Sequence, residues 1–155
     1  MSGEDYYVVG ARHDFGTHVF TADDIIAFAE KYDPQPFHVD EQRARESLFG
    51  GLCASGWHTA AVWMRKNCDY RARDFARIEA EGGKPPVHGP SPGFKNMAWF
   101  KPVFAGDTVR FGCTVLAVRA LNSKPGWGIV QTENFAETPD GKPVMRFESA
   151  VLVQL

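Results

Sequence analysis

Ala54-Ser55-Gly56-Trp57-His58-Thr59-Ala60-Ala61-Val62-Trp63-Met64-Arg65-Lys66-Asn67 is the stretch on which the fold turns. Ser55 or Thr59 is placed to cap a helix that runs to about Asn67. Its apolar residues, Trp57, Ala60, Ala61, Val62, Trp63 and Met64, do not keep to one stripe, and a helix apolar on several faces is normally buried. The small residues Ala54, Gly56, Ala60 and Ala61 let a sheet approach closely. The stretch predicts a central helix wrapped by strands.

Strands are found on its C-terminal side. Residues 94–100 predict the first, and a turn over 103–108 feeds a second over 109–119. Lys124-Pro125-Gly126 turns the chain into a third over 127–137. Thr138-Pro139-Asp140-Gly141 is a strong hairpin signal before the last strand, 143–155. In that strand Met145, Phe147, Ser149, Val151 and Val153 share one face by the period of two. Both faces grow apolar toward its end, as in a central strand. Short turns make these neighbours antiparallel. Residues 71–92 are polar and broken by Gly82-Gly83, Pro85-Pro86 and Gly89-Pro90, and read as a long connecting loop with at most one helical turn.

On the N-terminal side, Tyr6-Tyr7-Val8-Val9 and Gly16-Thr17-His18-Val19-Phe20 read as short extended pieces. Thr21 caps a helix whose stripe is Ile25, Ile26, Phe28 and Ala29, and Pro34 and Pro36 stop it. Residues 40–47 read as two further turns, started by Asp40 as a cap. The class is α+β: one domain over residues 1–155, helices on one face of an antiparallel sheet. One sheet around one helix leaves an open face and edges, so a homodimer is expected.

Composition narrows the function. Apolar residues are 44% and charged residues 23%, which fits a folded core. Seventeen basic against nineteen acidic residues leave a charge of -2, with no case for a nucleic-acid groove or a basic membrane patch. Arg71, Arg73 and Arg77 interleave with Asp69, Asp74 and Glu79 as a solvated face. No leader or membrane-spanning run is visible, so the cytoplasm is the expected location. Cys53, Cys68 and Cys113 are too few and too scattered for a disulfide framework. His13, His18 and His88 lack ligand spacing, so neither metal nor cofactor is expected, and His58 reads as a core contact.

The chemistry concentrates in Asp33-Pro34-Gln35-Pro36-Phe37-His38-Val39-Asp40, an acid and an imidazole five residues apart on proline-stiffened backbone. Stiffness matters because a loose loop cannot hold two catalytic groups in register. With Ala44 following, this segment resembles the hydratase signature of the MaoC-like family, which includes (R)-specific enoyl-CoA hydratases and acyl dehydratases. Asp33, Pro36, His38 and Asp40 match that pattern, while Gln35 stands where the family has Asn. Ala54-Ser55-Gly56 falls where hydratases often carry His-Gly, with Ser55 in place of the histidine. Pro102-Val103-Phe104-Ala105-Gly106-Asp107-Thr108 looks like a family turn. The resemblance implies the hotdog fold, a long helix wrapped by a curved antiparallel sheet and usually dimeric. It implies a hydro-lyase that adds water reversibly and syn across the 2,3 double bond of an acyl thioester, as an enoyl-CoA hydratase or 3-hydroxyacyl-CoA dehydratase.

On that resemblance the site residues are Asp33, His38 and Gly56. His38 is the better general base, since imidazole titrates near neutrality. Asp33 would orient the water and return a proton at C2, though the two roles are open to exchange. As a donor Asp33 needs a pKa well above about 4, or a proton shared with water and His38. The Gly56 N–H, at a helix start, would receive the thioester oxygen as charge builds there, and a glycine lets the thioester come close. Two alternatives share the fold: an acyl-CoA thioesterase, and a protein that binds acyl thioesters without turnover.

Overall fold

The computed structural model describes residues 3–155. In chain order the elements are α1 (Gly3–Tyr6), β1 (Arg12–Val19), α2 (Ala22–Tyr32), α3 (Pro36–Val39), α4 (Glu41–Arg45), α5 (Gly56–Ala80), β2 (Gly93–Trp99), β3 (Thr108–Ala120), β4 (Trp127–Glu137) and β5 (Pro143–Gln154). The five strands form one antiparallel sheet in the order β1-β3-β4-β5-β2, with α5 packed against β1 and β3. This is the α+β hotdog arrangement.

α5 is much longer than predicted. The polar stretch expected to be a loop over 71–92 is helical as far as Ala80. Its polarity is that of a solvated helix face, laced by Arg65–Asp69, Arg77–Asp74 and Arg77–Glu81 ion pairs three or four residues apart. Ile78 anchors the far end, 2% exposed. Gly82-Gly83 is the cap: Gly82 has φ +79°, its N–H donates to the Glu79 carbonyl, and the Gly83 N–H donates to that of Ile78. The chain then runs extended beside β5, with backbone bonds linking Val87, Gly89 and Pro90 to Gln154 and Leu152.

Two other expectations change. Tyr6 ends a helical turn rather than a strand, and Tyr7 is buried against Val115, Val130 and Val153. Nor is α5 covered all round. Trp57, Ala61, Met64 and Cys68, spaced four, three and four residues apart, form an exposed stripe, with Trp57 and Met64 both 53% exposed.

Phe15, Phe20, Ile25, Trp63, Phe111, Met145 and Phe147 belong to the main core. Each such side chain contributes about 1.5–3 kcal/mol by leaving water. Between this core and the smaller Tyr7 cluster, β4 and β5 carry a polar knot. Thr132 donates to Asn134, whose amide donates to Ser149, and Asn134 is wholly buried. With its partners present, burying that amide costs little.

Candidate active site

Asp33 is the C-cap of α2, its N–H donating to the Ala29 carbonyl. Pro34 forbids another helical turn, and Pro36 occupies the first turn of α3, where its missing N–H costs nothing. The segment expected to be all loop is thus a cap followed by one turn of helix, with His38 on that turn. The Cys53 N–H donates to the Phe37 carbonyl at 3.2 Å, and His38 Nδ1 donates to the Cys53 carbonyl at 2.6 Å. The Phe37 ring stands edge-on to the imidazole, centroids 4.6 Å apart. Residues 52–54 are tied in turn to the 102–108 turn, through Ala54 to Val103 and Ala105 to Leu52. Asp40 caps α4, accepting from the Arg43 N–H.

These supports bring Asp33 and His38 together, with Oδ2 and Nε2 3.4 Å apart. Because Nδ1 carries the hydrogen given to Cys53, the neutral ring presents a lone pair at Nε2. Both carboxylate oxygens of Asp33 are held: Ser55 Oγ donates to Oδ2 at 2.6 Å, and Gln35 Nε2 donates to Oδ1 at 2.7 Å. Burial pushes the Asp33 pKa up, but these two bonds and the nearby imidazole outweigh it and hold it below the usual carboxylate range. The raised pKa that a proton-donating Asp33 requires is therefore not found. Ser55 also caps α5, accepting from the Trp57 N–H at 3.2 Å. The sequence shows Gln35 only as a departure from the family pattern and Ser55 as a departure and a candidate cap; each proves to grip the acid.

Asp33, His38 and Gly56 line one cavity of about 500 Å³. Phe37, Phe49, Trp57, Trp99 and Phe100 supply aromatic walls, and Lys101 is the one cation among its lining residues. None of these walls could be singled out from the sequence. The glycine at 56 has a different neighbour from the one expected. The Trp99 indole lies against it, so that a Cβ built there would sit 2.5 Å from a ring carbon. His58 is a core contact, 7% exposed, stacked on Phe28 at 4.6 Å. Among the described residues no group of three or more His, Cys, Asp or Glu is placed to hold a metal ion, and no helix is long and apolar enough to cross a membrane.

Comparison with known proteins adds the following. The family described as MaoC like domain matches residues 9–134. The MaoC-like dehydratase from Rhodospirillum rubrum superposes with a TM-score of 0.76 at 36% identity, over 97% of this chain and 95% of that one. The (R)-hydratase from A. caviae involved in PHA biosynthesis shares the fold, with a TM-score of 0.64 at 23% identity over 93% and 95% of the two chains. A 58-residue stretch is 38% identical to the uncharacterized protein YdeM of Bacillus subtilis, which covers 37% of this chain and 41% of that protein. The match thus spans well under half the length of this curated relative.

Proposed function

We propose, from the premise that the chain belongs to the MaoC-like domain family, that it is an (R)-specific enoyl-thioester hydratase acting reversibly on 2-enoyl and 3-hydroxyacyl thioesters. Family membership and the 36% identity to a dehydratase support an enzyme of the hydratase and dehydratase class. The observation that carries the finer reading is His38 Nε2 held 3.4 Å from the Asp33 carboxylate by the Nδ1 bond to Cys53, beside a helix start in the same cavity.

The proposed reaction runs as follows. Water attacks C3, its oxygen forming the new bond as one of its protons passes to His38 Nε2. The π electrons move toward the thioester, and the charge gathers on its oxygen at the Gly56 N–H, which at the first residue of α5 has no intrahelical acceptor. Asp33 stays a carboxylate. It orients the water and stabilises the imidazolium that forms beside it. The imidazolium then returns its proton to C2 as the enolate collapses, leaving His38 neutral. One imidazole serving both carbons from one face gives syn addition. Dehydration is the same path reversed.

A second copy of the chain is part of the proposal. Trp57 of the exposed α5 stripe stands edge-on to Trp99 of the edge strand β2, and Phe94 and Phe100 are exposed as well, apolar surface that a homodimer would cover. The chemistry is tested by incubating the protein with trans-2-enoyl-CoA esters of several lengths. Hydration predicts loss of the conjugated chromophore without free thiol. Thiol release instead makes the chain a thioesterase, and the absence of both changes across short, long, branched and aromatic acyl groups sinks the enzymatic reading.

A further inference from the structure

The contact between Trp99 and Gly56 joins the edge strand to the start of α5. β2 does not run straight to it. The register of β2 on β5 shifts between Lys95 and Ala98, and Asn96, with φ +55°, turns the strand. Its side chain donates to Glu148, pinning the irregularity. Such a bulge re-aims the residues that follow it. Here it brings Trp99 over the helix terminus, where Nε1 donates to the Gly56 carbonyl at 3.0 Å. Three ring atoms lie 2.5–2.9 Å from where a Cβ on Gly56 would be. Trp57 supports the indole edge-on, centroids 5.3 Å apart. Gly56 does not adopt a positive φ, so its own backbone conformation does not demand glycine.

We propose that Trp99 is a positioning residue: its indole packs on Gly56 and holds the Gly56–Trp57 peptide by its carbonyl, so steadying the adjoining Gly56 N–H toward the cavity, and it is the reason residue 56 is glycine. This rests on the hydratase reading, in which that N–H meets the thioester oxygen. An alanine at 56 would push the ring aside, break its bond to the carbonyl and loosen the donor. The rival explanation is that glycine is needed so that the thioester can approach the backbone. The two differ in what happens when the indole is removed.

The test is a cycle of Gly56→Ala, Trp99→Ala and the double variant, assayed for enoyl-CoA hydration and melted in parallel. Gly56→Ala is expected to lower kcat by about 100-fold beside Trp99, on the scale of losing one oxyanion donor. That loss should shrink at least fivefold in the Trp99→Ala background. An equal loss in both backgrounds overturns the proposal in favour of substrate approach. Trp99→Phe keeps a ring but no donor and adds no Cβ at 56, so it is expected to fold even where Gly56→Ala does not. It should lower kcat with KM little changed, and a raised KM with unchanged kcat makes Trp99 a wall contact only and overturns the role. If the wild-type chain hydrates no enoyl thioester, the hydratase reading fails by itself. The melting cycle still decides the clamp: Gly56→Ala should lower Tm beside Trp99 and not in the Trp99→Ala background.

Discussion

At the scale of single residues, the unusual side chain is Asp33, a carboxylate with both oxygens already engaged. A group so gripped is a poor acid and a rigid acceptor, which moves the proton traffic to His38. Asp33→Asn and His38→Ala should each cut hydration by about 100-fold or more, measured by chromophore loss, with circular dichroism reading the native fold in both and a lower Tm in His38→Ala, which leaves the Cys53 carbonyl without its donor. Ser55→Ala differs in kind. It removes a helix cap worth about 1 kcal/mol, so both Tm and kcat should fall. It also removes the donor to Oδ2, so the Asp33 pKa should rise toward its ordinary value, read from the carboxyl carbon's NMR shift against pH. A fall in Tm with the Asp33 titration unmoved would show the serine to be a cap only.

At the scale of elements, α2 and α5 meet through His58, which lies between Phe28 and Phe20. Burial first, then the neighbouring His18, pushes its pKa down from 6.5 to about 4, against a smaller opposing pull from Asp24. The unfolded chain therefore takes up a proton near pH 6.5 that the folded chain refuses until about pH 4. Stability is complete above that window and falls as the pH drops through it, by up to about 1.4 kcal/mol per pH unit. His88, pushed down to about 4 by burial and then by Arg71, adds a slope of the same sign. Melts between neutral and mildly acidic pH should show this decline, shallower in His58→Phe. The elements also show what the sequence made legible. Thr21 with Asp24, Pro34 and Pro36, and the Thr138–Gly141 turn each act through their own backbone, so local pattern placed α2, the acid–imidazole segment and the β4–β5 hairpin. Residues 71–80 were misread because their polar surface belongs equally to a loop and to a solvated helix, and the deciding contact, buried Ile78, is tertiary. Asp33 and His38 were legible as a pair because one short segment holds both. The Ser55 and Gln35 bonds depend on where that segment docks, and Trp99 on a bulge about forty residues along the chain from Gly56.

At the scale of the whole molecule, the open question is what covers the exposed stripe of α5. On the proposal above a second copy of the chain buries it, and sedimentation should then find two copies. Met64→Glu, which sets a charge in that stripe away from the cavity lining, should shift the protein toward monomer with the isolated fold intact. An unchanged dimer would place the interface elsewhere. The hotdog topology has one more effect, read from Tyr7. Gly3 lies against Gln154, and Tyr7 shares a cluster with Val153, so a seam between the two ends of the described chain closes a loop of almost the full length. Contacts of such sequence separation repay their entropy late, after the sheet has zipped. Loosening the seam with Tyr7→Ala should hasten unfolding in stopped-flow traces while leaving the refolding rate almost untouched. That result would put the persistence of the native state under the control of a seam that meets α5 at Asp74 and Phe75, toward the helix end away from its chemistry.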